Sequence, residues 1–299
     1  MIDLHTHTNC SDGDYTPRQL VKIAANYGVN ILSITDHDTI KAYDYNIISD
    51  ALMVGVRLIP GVEFSTIDEM SNEKIHVVGL NIDINNTLLR KLCDELFESR
   101  RQAVMKTETT LLHLGIILRT DMLLKSGDII TKSHIAQDVI GNPINAPFFI
   151  KKYNKIPLQG TFIEDYLIKG KPAYIGNDDK LTTSRAVHVI KQSGGKAICA
   201  HPSFNVMRGF DLSLMQDLII RNNFDGLEAV NIQYDKSNGD KKYDKVNEFI
   251  EFANHNNLLI SGGSDFHSHN SELWGNHSEL GLANEDYAVT EFMVEKILQ

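Results

Sequence analysis

The feature that most constrains the fold is an alternation in the first and last thirds of the chain: short apolar runs, each followed by a helix-patterned segment. Met1 to Thr6 reads as a buried strand. Thr16-Pro17 is a good helix start, a hydroxyl cap followed by proline in the first turn. Leu20, Val21, Ile23, Ala24 and Tyr27 give that helix an apolar face, and Gly28 ends it. Asn30 to Thr35 reads as the next strand, and Val56 to Phe64 and Ile75 to Leu80 as two more, antiparallel to each other if the polar stretch Thr66 to Lys74 turns the chain. In the last third a helix from Thr183 to Gln192 leads through Gly194-Gly195 into Lys196 to Ala200; Gly226 to Val230 and Leu258 to Ser261 follow, each behind a helical pattern. This alternation predicts the α/β class, as a barrel or a doubly wound sheet.

The middle breaks the pattern. Leu89 to Lys171 reads as mainly helix with irregular connections such as Gly141-Asn142-Pro143. The expected organisation is one domain from residues 1–88 and 172–299, carrying a small helical insert at residues 89–171.

Histidines and acids gather where the predicted strands stop. His5 and His7 close the first run, and residues two apart on a strand face the same side, so both imidazoles can reach one ion. Asp12 follows in a loop, His37 follows the second strand, and Glu63 ends the third. His201, Asp265 and His267 follow later runs; His76 opens a strand and joins the others only if that strand runs back antiparallel. Loops at strand C-termini converge on one pocket in barrels and open α/β sheets, and imidazole with carboxylate suits borderline and hard metals. Each piece alone has a plain structural reading. Asp36-His37-Asp38 also reads as a cap beside a surface histidine, and His201-Pro202 as a turn. Nine suitable residues at successive strand ends are hard to explain as independent accidents. Glu228, at the end of its strand, reads equally as an orienting partner for a ligand histidine or as a barrel-layer residue. His113, His188 and His255 fall on predicted helices as structural or exposed residues, while His269 and His277 follow the last motif as lesser candidates for substrate contact.

The ordered stretches His5-Thr6-His7, Ser11-Asp12-Gly13, Thr35-Asp36-His37-Asp38-Thr39, Pro60-Gly61-Val62-Glu63, Ala200-His201-Pro202 and Gly263-Ser264-Asp265-Phe266-His267 resemble the motifs of PHP (polymerase and histidinol phosphatase) domains. The branch most similar is that of small bacterial enzymes hydrolysing nucleoside 3′,5′-bisphosphates and the 5′ ends of short RNAs. The likeness extends to Phe162–Leu167 and Gly170–Tyr174, which close the insert. It implies a distorted (β/α)7-type barrel of about seven strands, with two to three divalent transition-metal ions, Mn, Fe or Zn, as cofactors. By motif, His5, His7, Glu63 and Asp265 would hold the first ion; Asp12, His37 and His267 the second; and His76 and His201, with Glu63 bridging, the third. The implied reaction is hydrolysis of a phosphomonoester by metal-activated hydroxide. Two departures stand out. Relatives carry Arg-Pro-His-hydrophobic-Ala in the insert, where the arginine grips phosphate; here Lys132-Ser133-His134-Ile135-Ala136 supplies charge without the bidentate fork. Ala42 stands where relatives have glycine. Lys132 and His134 are the expected substrate contacts, and His134 also the candidate to protonate the leaving alkoxide.

Net charge bears on partners. At −10, the chain is a poor general binder of nucleic acid or anionic membranes. The expected partner is a small phosphorylated molecule, a nucleotide or short RNA, with no long duplex and no membrane. Three scattered cysteines, Cys10, Cys93 and Cys199, and no signal-peptide pattern at the start make the cytoplasm the expected compartment. Two rival functions remain from sequence: a metal-dependent amidohydrolase, since His-X-His opens many such barrels, and a non-catalytic PHP module. No carbamylated-lysine position is evident at a strand end, and all nine ligand positions are filled.

Overall fold

The computed structural model describes every residue except 44–45, 126–127, 175–180, 236–240, 271–278 and 282–287, so His277 lies outside the described residues. Contacts divide the chain into two units, Met1–Cys93 with Lys180–Gln299, and Asp94–Asp179.

The first unit is α/β. Its strands are β1 (Ile2–Asp3), β2 (Ile31–Ile34), β3 (Arg57–Ile67), β4 (Lys74–Leu80), β5 (Lys196–Cys199), β6 (Gly226–Val230), β7 (Gln233–Asp235), β8 (Lys241–Tyr243) and β9 (Leu259–Gly262). Seven of them form one sheet in the order β1-β2-β3-β4-β5-β6-β9, while β7 and β8 pair as a separate antiparallel ribbon. The neighbours β1, β2 and β3 are parallel, as are β5, β6 and β9, and β4 alone runs back, antiparallel to both β3 and β5. Backbone bonds join the ends of the sheet: Leu4 N–H to Gly262 O (3.3 Å), Asp265 N–H to His5 O (2.9 Å) and His7 N–H to Phe266 O (2.8 Å). The sheet is thus curled on itself as a distorted barrel.

The apolar runs become strands because both faces are covered, which removes the need for polar alternation. Leu32 and Ile34 of β2 pack with Leu20, Val21 and Ala24 of helix Pro17–Asn26, whereas Ile31 joins Ile2, Leu4, Ile59 and Val78 in a second cluster. Helix Pro17–Asn26 begins with a reciprocal capping box between Thr16 and Gln19. Gly28 follows at φ +76°, a conformation that favours glycine.

The described secondary structure of the second unit is all helix, joined by turns and irregular connections. Helix Thr87–His113 crosses the division, and Lys132–Gly141 and Ala146–Tyr153 follow. They bury Leu111, Ile135, Val139, Phe149, Phe162 and Tyr166 around one core. Among the described residues no helix is long and apolar enough to cross a membrane.

Candidate metal centre

Strand direction puts the centre where it is. All strands of the sheet except β4 deliver their C-terminal ends to one pole, and the reversal of β4 brings its second residue past Lys74, His76, to the same pole beside Ser65 of β3. On the first strand, Ile2 and Leu4 enter an apolar cluster, so His5 and His7 share the opposite register with Asp3.

All nine sequence-predicted metal residues come together around Glu63, which is fully buried. Glu63 Oε2 lies 3.4 Å from both His5 Nε2 and His7 Nε2, and 2.9 Å from His37 Nδ1. Its Oε1 lies 2.8 Å from His76 Nδ1 and 3.2 Å from His201 Nε2. Asp265 Oδ1 is 3.3 Å from His5 Nε2 and 3.1 Å from His7 Nε2. Asp12 faces His7 (3.7 Å), His37 (3.8 Å) and His267 (3.4 Å). Donor atoms fall within 4.8 Å of one another in three overlapping groups: His5, His7, Glu63 and Asp265; His7, Asp12, His37 and His267; and His37, Glu63 and His76. His7 and His37 each stand in two groups, an overlap that the motif assignment lacks. His201 enters through Glu63 Oε1.

This donor set fits divalent cations. Glu63 Oε2 and Asp12 Oδ1 are buried and accept no hydrogen bond. A buried carboxylate oxygen without a donor is costly, and a cation at the focus of these lone pairs removes the cost. Backbone and carboxylate partners also orient the rings. His267 Nδ1 lies 2.7 Å from Asp265 O, which only accepts, so Nδ1 carries the proton and Nε2 turns to Asp12.

Charge and burial compete here. Burial, then a charge on neighbouring His267, pushes His7 down to about 4, and burial pushes His76 down to about 3. Burial opposes charge on His5 as well, but the carboxylates of Glu228, Glu63 and Asp265 outweigh it and raise the ring well above its usual value. Against the same burial, surrounding imidazoles, first among them His37, hold Asp12 and Glu63 well below the carboxylate range.

Two acids outside the sequence-predicted ligand set hold the ligand loops. Asp36 accepts from Thr8 N–H (2.7 Å), Thr8 Oγ1 (2.6 Å) and Ser11 Oγ (2.6 Å), which fixes the loop carrying Asp12. Asp3 accepts from Ser264 N–H (3.0 Å), Ser264 Oγ (2.6 Å) and Gly281 N–H (2.8 Å), which fixes the segment carrying Asp265. The available signal was an acid inside an apolar run, Met-Ile-Asp-Leu for Asp3, which only a buried donor set can satisfy. Asp38, His201 and Asp265 adopt φ of +56°, +28° and +54°. Such conformations are strained for non-glycine residues and cluster at functional sites.

Lys132 and His134 belong to the second unit. Both lie in the first turn of helix Lys132–Gly141, where His134 Nδ1 accepts from Thr131 N–H at 3.1 Å in a capping box. Lys132 is exposed and its Nζ stands 5.5 Å from the centre of the Tyr174 ring. Outside the cluster, His113, His188, His255 and His269 are exposed; the His269 ring bonds Tyr15 Oη at 2.8 Å.

Comparison with known proteins agrees with this geometry. The family model of the PHP domain matches residues 3–123. The chain is 32% identical over 272 residues to the 5′-3′ exoribonuclease Rnm of Escherichia coli, covering 89% of this chain and 85% of that protein. It is 26% identical over 271 residues to the 3′,5′-nucleoside bisphosphate phosphatase of Chromobacterium violaceum, covering 89% and 87%. Among solved structures, a protein of Bifidobacterium adolescentis assigned as a metal-dependent phosphoesterase superposes with a TM-score of 0.76 at 22% identity, over 99% of this chain and 94% of that one. An amidohydrolase of Chromobacterium violaceum, solved with bound sulfate, gives 0.74 at 25% identity over 100% and 97%.

Proposed function

Because the chain belongs to the PHP family of metal-dependent phosphoesterases, we propose that it hydrolyses the terminal phosphomonoester of a small nucleotide, a nucleoside 3′,5′-bisphosphate or a short 5′-phosphorylated RNA. The observation that carries this reading is the convergence of six imidazoles and two further carboxylates on Glu63. In the proposed assignment His5, His7, Glu63 and Asp265 would hold one divalent ion, Asp12, His37 and His267 a second, and His76 and His201, with Glu63, a third. Mn, Fe and Zn all accept such a nitrogen and oxygen set.

Bound ions would lower the pKa of a water and neutralise charge developing at phosphorus. The protein's part is orientation. Glu63 turns one oxygen to His5, His7 and His37 and the other to His76 and His201, so one buried carboxylate spans the whole donor array. Asp3 and Asp36 lock the loops that carry Asp265 and Asp12, which limits reorganisation during the reaction. His134 is the proposed donor to the leaving alkoxide. Its Nδ1 is engaged as an acceptor by Thr131, which places the proton of the neutral ring on Nε2. Lys132, one residue into the same helix, is the proposed contact for a second phosphate.

The substrate assignment rests on the similarity to proteins named for nucleoside bisphosphates and for RNA. Comparing kcat/KM for adenosine 3′,5′-bisphosphate, the matching monophosphate and histidinol phosphate tests it; equal rates on monophosphate and bisphosphate would sink the second-phosphate site. A second reading, stepwise cleavage of RNA phosphodiesters from the 5′ end, is favoured by the higher identity to the exoribonuclease. Mononucleotide release from a short 5′-phosphorylated RNA separates it from release of inorganic phosphate. The amidohydrolase reading is kept open by the 25% identical Chromobacterium violaceum structure, and assaying amide cleavage against phosphate release separates the two. A non-catalytic module is disfavoured by the complete donor set.

A further inference from the structure

We propose that Glu228 is a positioning residue that sets two parts of the metal centre at once, His5 and His201; the inference rests on the metal-binding reading above. Glu228 lies on β6 and is fully buried. Its Oε1 is 2.9 Å from His5 Nδ1, and its Oε2 accepts the backbone N–H of His201 at 2.8 Å. The side chain therefore ties together residues that follow β1 and β5, strands that are not neighbours in the sheet.

Each contact has a chemical consequence. An ionised carboxylate only accepts, so His5 Nδ1 must donate, and Nε2 is the nitrogen presented to a cation. That Nε2 lies 3.2 Å from His7 Nε2 and 3.3 Å from Asp265 Oδ1, within one of the donor groups. His201 has φ +28° and ψ 55°, a backbone conformation that L residues seldom adopt. The bond from its N–H to Glu228 holds that conformation, and the ring then reaches Glu63 Oε1 at 3.2 Å. Orientation of ligating histidines by a buried carboxylate is worth about 10- to 100-fold in metal affinity where it has been removed.

Glutamine is the discriminating substitution because it keeps size and removes one acceptor. His5 Nδ1–H and His201 N–H are both donors, whereas an amide offers one oxygen and one NH2. Glu228→Gln must therefore point a donor at a donor and release one of the two. If Glu228 only filled a barrel layer, the isosteric change would leave metal binding intact.

The experiment compares wild type, Glu228→Gln and Ser261→Ala, which removes a buried hydroxyl at the residue paired with Glu228 on β9. Metal stoichiometry, affinity by chelator competition and the visible spectrum after Co2+ loading are read for each, with circular dichroism of the chelated proteins as the folding control. The expected result is a folded Glu228→Gln protein with metal affinity lowered about 10- to 100-fold and a changed Co2+ spectrum, while Ser261→Ala matches wild type. Unchanged affinity and spectrum in Glu228→Gln overturn the proposal. Should that variant not fold, long-range 1H–15N spectra of the zinc-loaded wild type decide: His5 protonated at Nδ1 and metal-bound at Nε2 supports the assignment, and the reverse overturns it. Wild-type protein that takes up no metal would instead refute the metal centre itself.

Discussion

Replacing Gly263 by alanine adds one methyl group where the backbone has left no room for it. An added Cβ would stand 2.5 Å from both the Cβ and the backbone nitrogen of His5, and 2.9 Å from its Cα. Ordinary contact at about 3.4 Å or more requires the two chains to separate by about 0.9 Å, and the atoms in the way are not the flexible end of a side chain. Overpacking of this kind costs about 1–3 kcal/mol. The functional cost is larger, because a site of this type tolerates about 0.5 Å of ligand displacement, and the residue displaced is a proposed ligand. Urea unfolding of the chelated protein measures the first effect, and metal content with phosphatase activity measures the second. Gly160→Ala is the control: it lies in the helical segment Gln159–Phe162 with nothing within 4 Å of its added Cβ, and should be neutral or slightly stabilising. Gly263→Ala protein with wild-type stability and full metal content would refute the packing argument.

Metal removal and ligand loss should agree: His7→Ala or Asp265→Ala should remove most activity, a larger loss than the about 10- to 100-fold typical of losing an outer partner of a ligand, and chelator should do the same to wild type, whereas full activity in chelator with less than one ion bound ends the metal hypothesis. In the chelated protein His7, whose folded-state pKa of about 4 lies below its unfolded value, contributes stability that falls as pH drops below 6.5, because the unfolded chain binds the proton first. Between about pH 7 and 5 that one ring costs about 2 kcal/mol, and His7→Gln should lose less stability than wild type over the same interval in urea titrations; equal losses would contradict it. Lys132→Arg should lower KM with little change in kcat if the side chain addresses phosphate equally in ground and transition states, and a Lys132→Ala variant with both constants unchanged removes that residue from phosphate binding.

The parts legible in the sequence were those governed by local periodicity. Helix Thr183–Gln192 and strand β6 fall on their expected residues, because capping hydroxyls, glycines and apolar spacing act within a few positions. The gathering of histidines and acids was legible for a related reason: strand ends share a pole, so residues far apart in sequence need only be placed at the right end of their own strand. His76 shows where that reasoning reached its edge. Its inclusion depended on the direction of β4, which no local pattern encodes and which pairing with β3 and β5 decides. Asp3 and Asp36 escaped because their roles exist only in partners 261 and 25 residues away, Ser264 and Ser11. The ribbon of β7 and β8 escaped because three-residue strands are too short for a periodic signal.

Net charge and local charge point in opposite directions, and the donor chemistry explains how both hold. The chain carries −10 overall, which repels a phosphorylated substrate at long range. Of the nine gathered residues only Asp12, Glu63 and Asp265 bring charge; the remaining six are imidazoles, which ligate as neutral groups. Two or three divalent ions, if bound as proposed, would add about four to six positive charges against three negative ones and leave about one to three positive charges at the focus. An all-carboxylate site of the same size would cancel its own ions. Histidine-rich ligation would thus let an acidic protein present a cationic pocket, and it would make phosphate binding stronger with metal than without: the same pocket, stripped by chelator, keeps its three carboxylates and loses the charge of the ions.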